Sequence, residues 1–496
     1  MLCCGKLTEW SERMLVHQVY SDVDPERILF RETDQSVTYG TFKEWVAKYR
    51  NYFKYVGIQP GENVGLYCKN CPEFMVAYFA VVSLGAVIVP LNRTLTAREV
   101  AWIAADAGMK HLIAMTPVDL DVQIRQLLIP EISEAVERRV FPEAPEVAME
   151  ENQECVIIYT SGTTGYPKGA VLTHRNLVSN AKSFAAVVAL SESDRQLCVL
   201  PMFHSFAWTV TVLSSLVKGG SITIMEMFQP KDALKTIREN QLTVVCGVPV
   251  MFNYYQSLGK AEDFASIRLF VSGGASLPLE IIGGFKKKFD LDIAEGYGLS
   301  EASPVVSVNP PGGVRVGSIG LPLPGIDVRI VGPEGVDVPD GEVGELYTRG
   351  PNVMKGYHNQ PDVTAETVVD GWLHTGDLAR LDSDGYIYIV DRLKDIIIVG
   401  GFNVYPREVE EVIYQYPDIS EATVIGIPDR TRGEAPCACI VLREGVEFNR
   451  KAFMSFLQER LANFKIPRDV KVMDALPKNA TGKIMKRELR EQLKQG

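Results

Sequence analysis

The 496-residue sequence has few cysteines and a deficit of positive charge, and both shortages exclude classes of protein. Nine cysteines over this length do not form a disulfide framework, and their odd number leaves at least one thiol unpaired. The formal net charge of −11 argues against a general nucleic-acid binder, whose affinity rests on cationic contacts to phosphates. We therefore expect a reduced protein without a nucleic-acid partner.

The sequence also shows no visible pattern of an export signal and no long apolar run. The N-terminal MLCCGKLTEWSER turns polar within five residues, which is not the pattern of a secretory signal. Residues 74–89 carry no charge, but they are short for a membrane span and Gly85 interrupts them. We expect a buried helix over 74–84 and a core strand over 86–89, no integral membrane segment, and a cytoplasmic location.

The length predicts two or more domains, and the hydrophobic pattern changes twice along the chain. Apolar runs such as NVGLYC, AVIVPL and TVVCGV alternate with helical stretches, which indicates parallel sheets covered on both faces. From about residue 322 to 390, short strands and Gly/Pro/Asp turns predict an antiparallel meander or barrel. A mixed unit then follows, with helices expected over 406–416 and 450–462.

The last part of the chain is basic while the rest is acidic. From Arg392 onward there are 18 Lys and Arg against 15 Asp and Glu. A basic tail on an acidic body suggests that the tail meets an anion.

The stretch YTSGTTGYPKG, residues 159–169, has the composition of a phosphate-binding loop. It continues an apolar strand, CVIIYT, and ligands of α/β sheets bind beyond the carboxyl ends of such strands. It is not the Walker P-loop, because Lys168 follows Pro167 and precedes Gly169. Hydroxyl donors, a cation, and glycines that let N–H groups approach an anion together predict a phosphate cradle. These residues are Ser161, Gly162, Thr163, Thr164, Gly165, Lys168 and Gly169.

Four further motifs follow in order: EGYGLSE (295–301), GWLHTGD (371–377), DRLKDIIIVGGFNVYPREVE (391–410) and PKNATGKIMKREL (477–489). Each alone has a plain structural interpretation as a turn or a solvated charged face. In combination with the phosphate loop they resemble the adenylate-forming superfamily of acyl- and aryl-CoA synthetases, luciferases and nonribosomal adenylation domains. The pattern is most similar to fatty acyl-CoA synthetases. The resemblance covers nearly the whole chain, from SVTYGTF at 36 to KREL at 489.

The resemblance implies a fold of two unequal parts. Residues 1–391 would form a large N-terminal domain of layered α/β subdomains with a β-barrel-like part, which holds ATP and the acyl group. A hinge would join it to a small, mobile α+β domain, residues 392–496. This domain would carry the catalytic lysine and the thiolation loop.

The resemblance also implies an ATP-dependent acid–thiol ligase that uses Mg²⁺ and CoA. A carboxylate attacks the α-phosphorus of ATP and releases pyrophosphate, and a thiol then displaces AMP to give a thioester. Tyr297 would stack on adenine, Asp377 and Arg392 would contact the ribose, and Glu301 with Thr160 would hold Mg²⁺. The residues implied in nucleotide binding are Thr160, Ser161, Gly162, Thr163, Thr164, Gly165, Lys168, Gly274, Ala275, Glu295, Gly296, Tyr297, Gly298, Ser300, Asp377 and Arg392.

Lys483 is the residue expected to carry the first step, with His204 and Glu301 as further catalytic groups. Two anions, carboxylate and triphosphate, must meet, and one ammonium between them offsets their repulsion. Members of the family use the small domain in two orientations: one inserts this lysine, and the other presents the opposite face for thiolation. By the same resemblance Lys394 lies at the hinge, and Gly400 and Gly401 line the CoA tunnel.

The motifs depart from the usual family pattern at three positions. Ser300 stands where Thr is usual, Asp391 stands where many members have Gly, and Lys486 stands where Arg is usual. The last departure leaves open how the tail docks.

The acyl pocket is implied at PMFHSFAW (201–208) and neighbouring segments. No acidic residue occurs between Asp194 and Glu226, so an amino-acid substrate would lack its usual counter-charge. Trp208 matches an aromatic that gates the tunnel of long-chain fatty acyl-CoA synthetases, and simple core packing is the alternative. The residues implied in the pocket are Phe203, Trp208, Val248 and Gly273.

We expect a medium- or long-chain fatty acid as the substrate. Two alternatives stay open: an aryl acid of the benzoate or cinnamate type, and a free-standing acyl-AMP ligase that loads a carrier protein. The oligomeric state, including a homodimer, stays open as well.

Overall fold

A computed structural model of the protein describes residues 15–31, 36–160, 167–479 and 482–495. Within these ranges the strands form four sheets, two large and mainly parallel and two smaller. Short 3₁₀ turns occupy Val16–Gln18, Ala261–Phe264, Ser300–Ala302 and Leu393–Asp395. The predicted class, layered α/β sheets followed by a small α+β unit, is confirmed.

The first large sheet has seven strands, and its β3–β7 strands are parallel. Its helix α2 begins with Pro72 at the first helical position and is buried from Phe74 to Ser83, because it is apolar all round. In chain order the elements of this part are β1 (Ile28–Arg31), β2 (Ser36–Thr38), α1 (Tyr39–Val56), β3 (Asn63–Tyr67), α2 (Pro72–Ser83), β4 (Val87–Pro90), α3 (Ala97–Asp106), β5 (His111–Ala114), β6 (Arg125–Leu128), α4 (Ile129–Arg138), β7 (Glu154–Thr160) and β8 (Lys168–Thr173).

Helix α2 is twelve residues long. Among the described residues, no helix combines the length and the apolar character needed to cross a bilayer.

The second large sheet has nine strands and takes its first two strands, β1 and β2, from the beginning of the described chain. Its central strands are parallel, and β13 and β14 turn antiparallel at one edge. Its remaining elements and the helices between them are α5 (His174–Val187), β9 (Arg195–Cys198), a π-helix (Ala207–Leu213), α6 (Ser214–Lys218), β10 (Ser221–Ile224), α7 (Pro230–Glu239), β11 (Val244–Gly247), α8 (Pro249–Leu258), β12 (Leu269–Ser272), α9 (Leu279–Phe289), β13 (Ile293–Gly298), β14 (Val305–Val308) and β15 (Leu321–Pro322).

The third sheet is antiparallel, as the change of pattern after residue 322 predicts. One strand of this region, β18, leaves it and pairs with β8 of the first sheet. The elements are β16 (Asp327–Val331), β17 (Gly344–Arg349), β18 (Gly356–Tyr357), α10 (Pro361–Thr367), β19 (Val368–Val369), β20 (Trp372–Leu381) and β21 (Ile387–Arg392).

The C-terminal residues form a fourth sheet with a hydrophobic core of its own. Two helices end earlier than the sequence predicts, at Tyr414 and Gln458, although Tyr416 and Leu461 beyond them still pack into that core. The elements are β22 (Ile397–Val399), β23 (Phe402–Val404), α11 (Pro406–Tyr414), β24 (Ile419–Asp429), β25 (Gly433–Leu442), α12 (Arg450–Gln458), β26 (Asp469–Val472) and α13 (Lys486–Gln495).

Candidate active site

The predicted phosphate loop connects β7 to β8, which pair antiparallel from Thr160 opposite Lys168. The loop therefore belongs to a β-hairpin and does not lead from a strand into a helix as a Walker loop does. Thr160 Oγ1 donates to the carbonyl of Lys168 at 3.5 Å. Ser161, Gly162, Thr163, Thr164 and Gly165 lie outside the described residues.

Three residues predicted to contact the nucleoside meet where the ends of β13 and β21 approach the middle of β20. Tyr297 Oη donates to Asp377 Oδ2 at 2.5 Å, and Arg392 Nε lies 3.1 Å from Asp377 Oδ1. The antiparallel register of β20 and β21 places Asp377 directly opposite Arg392. Burial, followed by the charge of Asp377, raises the pKa of Tyr297, so its hydroxyl stays a donor. Asp377 itself is buried.

The glycines of EGYG leave room for backbone. A Cβ on Gly298 would lie 2.0 Å from the carbonyl oxygen of Pro304, and one on Gly296 would lie 3.1 Å from that of Ser307. These contacts explain why β13 carries glycine on both sides of its tyrosine.

Glu295, two residues before Tyr297 on β13, contacts the loop that follows β12. Gly274 has φ of 79°, a left-handed conformation suited to glycine, and Ala275 beside it is half-buried. The Glu295 carboxylate lies beneath this loop and accepts the N–H of Leu277 at 3.1 Å. Burial raises the pKa of Glu295 to about 7, against the opposing effect of Arg407. The side chain thus supports the loop from within the core.

Glu301, the predicted metal ligand, contacts a residue that the sequence did not single out. Its Oε1 accepts a hydrogen bond from Tyr357 Oη at 2.8 Å, and Lys168 Nζ lies 5.3 Å from the centre of the Tyr357 ring. Nothing in the local sequence around Tyr357 marks it, because its position depends on the pairing of β18 with β8. Nearby, the hydroxyls of Ser300 and Ser205 lie 3.3 Å apart.

Lys483 reaches the same site from the C-terminal part of the chain. A Cβ on the preceding Gly482 would lie 3.4 Å from Val250 and 3.6 Å from Val248, so this segment rests against the start of α8. Burial, followed by the charge of Arg392, lowers the pKa of Lys483 to about 8. The structure therefore brings the predicted catalytic lysine beside the predicted nucleotide residues.

His204 lies close enough to Lys483 to sense its charge. Burial, followed by Lys483, lowers the pKa of His204 to about 4, so the imidazole is neutral near pH 7. Its Nδ1 accepts the N–H of Phe206 at 3.1 Å, which places the ring proton on Nε2.

The predicted acyl-pocket residue Trp208 is packed into an aromatic cluster. Its ring centre lies 4.0 Å from that of Tyr78, and 5.7 Å from those of Phe74 and Phe79, all on α2.

The other predicted pocket residues lie nearby in sequence or in the core, and Phe203 packs against the same core as Trp208. Gly273 faces the ring of Phe206, 3.1 Å from where a Cβ would stand. Val248 is buried at the start of α8.

The structure does not bring the predicted CoA-tunnel glycines to this site. Gly400 and Gly401 form the exposed turn between β22 and β23, with φ of 59° and 89°. Gly400 N–H donates to the carbonyl of Arg432 at 2.8 Å, within the C-terminal sheet. Lys394 is exposed in the short 3₁₀ turn before β22.

Asp391 and Lys486 have specific partners in this arrangement. The Asp391 carboxylate accepts the N–H groups of Arg392 at 2.7 Å and of Arg407 at 2.8 Å, which ties β21 to the start of α11. Lys486 Nζ lies 2.9 Å from Glu410 on α11. The Asp391 contacts join the C-terminal unit to β21, and the Lys486–Glu410 pair joins the segment after Lys483 to α11.

The fold and the converging residues define an ATP-dependent, AMP-forming ligase. Residues 17–358 match the AMP-binding enzyme family, and residues 408–483 match the AMP-binding enzyme C-terminal domain. The chain belongs to this family, whose members include acyl-CoA synthetases, with ATP and CoA as substrates and Mg²⁺ as the metal.

The similar proteins include a CoA synthase named for an aryl acid and a CoA ligase named for long-chain fatty acids. The chain is 37% identical over 482 residues to a feruloyl-CoA synthase of Amycolatopsis sp, covering 94% of this chain and 96% of that protein. It is 34% identical over 486 residues to a long-chain-fatty-acid–CoA ligase of Bacillus subtilis, covering 88% and 86%. The structure of o-succinylbenzoate coenzyme A synthetase from Bacillus subtilis with ATP and magnesium superposes with a TM-score of 0.84, at 30% identity and with 97% and 99% covered.

Proposed function

We propose that the protein joins an aryl carboxylic acid to CoA, through an aryl-adenylate, with release of pyrophosphate and then AMP. The observation that carries the choice of acid is the packing of Trp208. Its indole lies 4.0 Å from the Tyr78 ring within a buried aromatic cluster, so the space behind it is filled. A long alkyl chain would need this cluster to come apart, whereas a flat acid of the benzoate or cinnamate type would not.

The comparison with named relatives supports the same choice. The feruloyl-CoA synthases are 37% identical to this chain, and the long-chain fatty-acid ligases of Bacillus subtilis and Mycobacterium tuberculosis are 34–35% identical. The fatty acid expected from the sequence is the second candidate, because those ligases align over 88–93% of this chain.

Each residue at the site has a chemical task in this proposal. Lys483 places its ammonium between the acid and the α-phosphate, where negative charge concentrates during attack. His204, neutral and protonated on Nε2, donates to the acid carboxylate and orients it. Asp377, an acceptor only, binds the ribose hydroxyls with Arg392 beside it, and the Tyr297 ring stacks on adenine.

Mg²⁺ fits the residues around Glu301. Within the described ranges, no group of three or more His, Cys, Asp or Glu side chains is arranged to hold a metal. One carboxylate together with substrate phosphates is a common arrangement for Mg²⁺ in nucleotide-dependent enzymes. Glu301 provides that carboxylate, and the hydroxyl of Thr160 lies at the start of the phosphate loop. When bound, the metal would neutralise charge on the phosphates.

A panel of acids with ATP and Mg²⁺ tests this function, with pyrophosphate release followed in the presence and absence of CoA. We expect cinnamate- or benzoate-type acids to release pyrophosphate and to form thioesters with CoA. Turnover of long-chain fatty acids with inert aryl acids would establish the second candidate. Adenylate formation without transfer to CoA would indicate a carrier protein as the acceptor.

The Trp208→Ala variant tests whether Trp208 limits the length of the acid that the pocket accepts. If Trp208 closes the pocket, the variant gains activity toward longer acids while aryl acids lose affinity. Trp102→Ala, on the first sheet's helix α3, is the matched control and should leave the preference between acids unchanged.

A further inference from the structure

The segment 354–358 contacts Glu301 and Lys168, two residues of the proposed phosphate site. Tyr357, in β18, stands opposite Ala170 of β8. Lys168 lies two residues before Ala170 on β8, so the side chains of Lys168 and Ala170 project from the same face of that strand. The Tyr357 side chain, opposite Ala170, projects from the same face of the sheet. This register brings the Tyr357 ring to the Lys168 ammonium, whose Nζ lies 5.3 Å from the ring centre.

The other end of the same side chain contacts Glu301. Tyr357 Oη donates to Glu301 Oε1 at 2.8 Å. A tyrosine hydroxyl keeps its proton near neutral pH, so it is the donor in this bond. One side chain thus contacts the ammonium through its ring and the carboxylate through its hydroxyl.

Backbone hydrogen bonds fix Tyr357 between its two partners. Met354 N–H donates to the carbonyl of Glu301 at 2.8 Å, and His358 N–H donates to the carbonyl of Gly169 at 2.8 Å. The N–H of Tyr357 itself donates to Thr364 Oγ1 at 2.8 Å. The segment therefore holds the end of the phosphate hairpin and the Glu301 backbone in one fixed arrangement.

We propose that Tyr357 is a positioning residue, which sets the distance between the Glu301 carboxylate and the Lys168 ammonium for binding of Mg²⁺ and the ATP phosphates. This inference rests on the proposed roles of Glu301 and Lys168. A carboxylate aimed at a metal and an ammonium aimed at phosphates must not collapse onto each other, and a side chain that contacts both keeps them apart. Tyr357 acts through these two groups and need not touch ATP.

Binding of ATP in the absence of any acid tests the inference without a catalytic step. Calorimetric titrations at several Mg²⁺ concentrations would compare wild type with Tyr357→Phe, which keeps the ring and loses the hydroxyl. We expect the Mg²⁺ concentration that gives half-maximal ATP affinity to rise about tenfold, as for loss of one hydrogen bond to a charged group. Tyr357→Leu also removes the ring, and we expect a further loss of about threefold in ATP affinity.

Two reference variants keep the outcomes separate. Tyr388→Phe is the matched control, because Tyr388 Oη also donates to a carboxylate, Asp382 Oδ2 at 3.1 Å, in the third sheet. It should bind ATP like wild type. Glu301→Gln should lose Mg²⁺ dependence itself; if it binds ATP normally, the proposed metal role of Glu301 fails.

If Glu301→Gln shows its defect and Tyr357→Phe has the Mg²⁺ dependence of wild type, the positioning role is overturned while the proposed function stands. A Tyr357→Phe protein that loses affinity for the acid and for ATP alike, together with a lower unfolding temperature, would show a purely structural role and would also overturn the inference. An unchanged unfolding temperature with the selective shift in Mg²⁺ dependence is the expected result.

Discussion

The hydroxyl of Tyr297 donates to the Asp377 carboxylate at 2.5 Å, and this bond joins the residue proposed to stack on adenine to the one proposed to bind ribose. Because Arg392 contacts the other oxygen of the same carboxylate at 3.1 Å, Asp377 is held from two sides by the protein itself. The nucleoside part of the site is thereby preorganised.

Tyr297→Phe tests this preorganisation. The variant keeps the ring for stacking and releases one oxygen of Asp377, so we expect KM for ATP to rise about tenfold, the cost of one hydrogen bond to a charged group. The value of kcat should change much less. Tyr386→Phe, which removes a hydroxyl bonded to the carbonyl of Gly313, is the control. An ATP KM equal to that of wild type in both variants would show that the Tyr297 hydroxyl does not order the site.

The lowered pKa of Lys483 predicts how adenylation depends on pH. The amine is an ammonium below its pKa of about 8, and it loses its charge as the pH rises through that value. We therefore expect kcat/KM for ATP, followed by pyrophosphate release, to decline above about pH 8, since this ratio reports the free enzyme.

Removal of Arg392, whose charge helps to lower that pKa, provides the check. Arg392→Met should move the decline to higher pH, even though ATP affinity also falls. Thioester formation from supplied acyl-adenylate should not share the decline, because a thiol becomes more nucleophilic as pH rises. A pyrophosphate-release rate that stays constant up to pH 10 would contradict the placement of Lys483.

Glu295 predicts a pH dependence of stability. Its pKa is about 7 in the folded protein against an ordinary value of 4.5, so the folded state binds the proton more tightly than the unfolded state. The resulting stabilisation is fully present below pH 4.5 and is lost as the pH rises through 7, with a total of about 3 kcal/mol.

Glu295→Gln removes this titration and keeps an acceptor for Leu277 N–H. We expect the variant to be more stable than wild type at pH 8, and the difference in unfolding temperature to shrink toward pH 5. Glu444→Gln, at an exposed position, should follow wild type throughout. Parallel curves for wild type and Glu295→Gln would show that Glu295 is not a buried titrating group.

Much of this site could be predicted from the sequence because its residues lie in short motifs of fixed order. Asp377, Arg392 and Lys483 stand in three separate motifs, and the structure brings them together. Tyr357 could not be found in this way, since its contacts depend on β18 crossing to the first sheet. The sequence left open whether Trp208 gates the acyl tunnel or packs in the core. Its contacts with α2 could not be predicted, because that helix lies more than a hundred residues earlier in the chain.

The errors at helix ends have a simple physical origin. Phe453, Leu457 and Leu461 are all buried and are spaced by four residues, which continues the apolar pattern of α12 past its end at Gln458. A periodic pattern records which residues face the core, and a residue in the turn after a helix can face it equally well.

We propose that Lys483 drives adenylation from its position in this structure, and the two half-reactions of the Lys483→Ala variant test that claim. We predict that pyrophosphate release falls by about 10²–10³-fold, as for loss of one charge-stabilising group, while thioester formation from supplied acyl-adenylate is unchanged. Lys478→Ala is the control, because Lys478 lies in the same segment as Lys483 and pairs with Glu421. This variant should retain both activities. Equal loss of the two half-reactions in Lys483→Ala would contradict the claim.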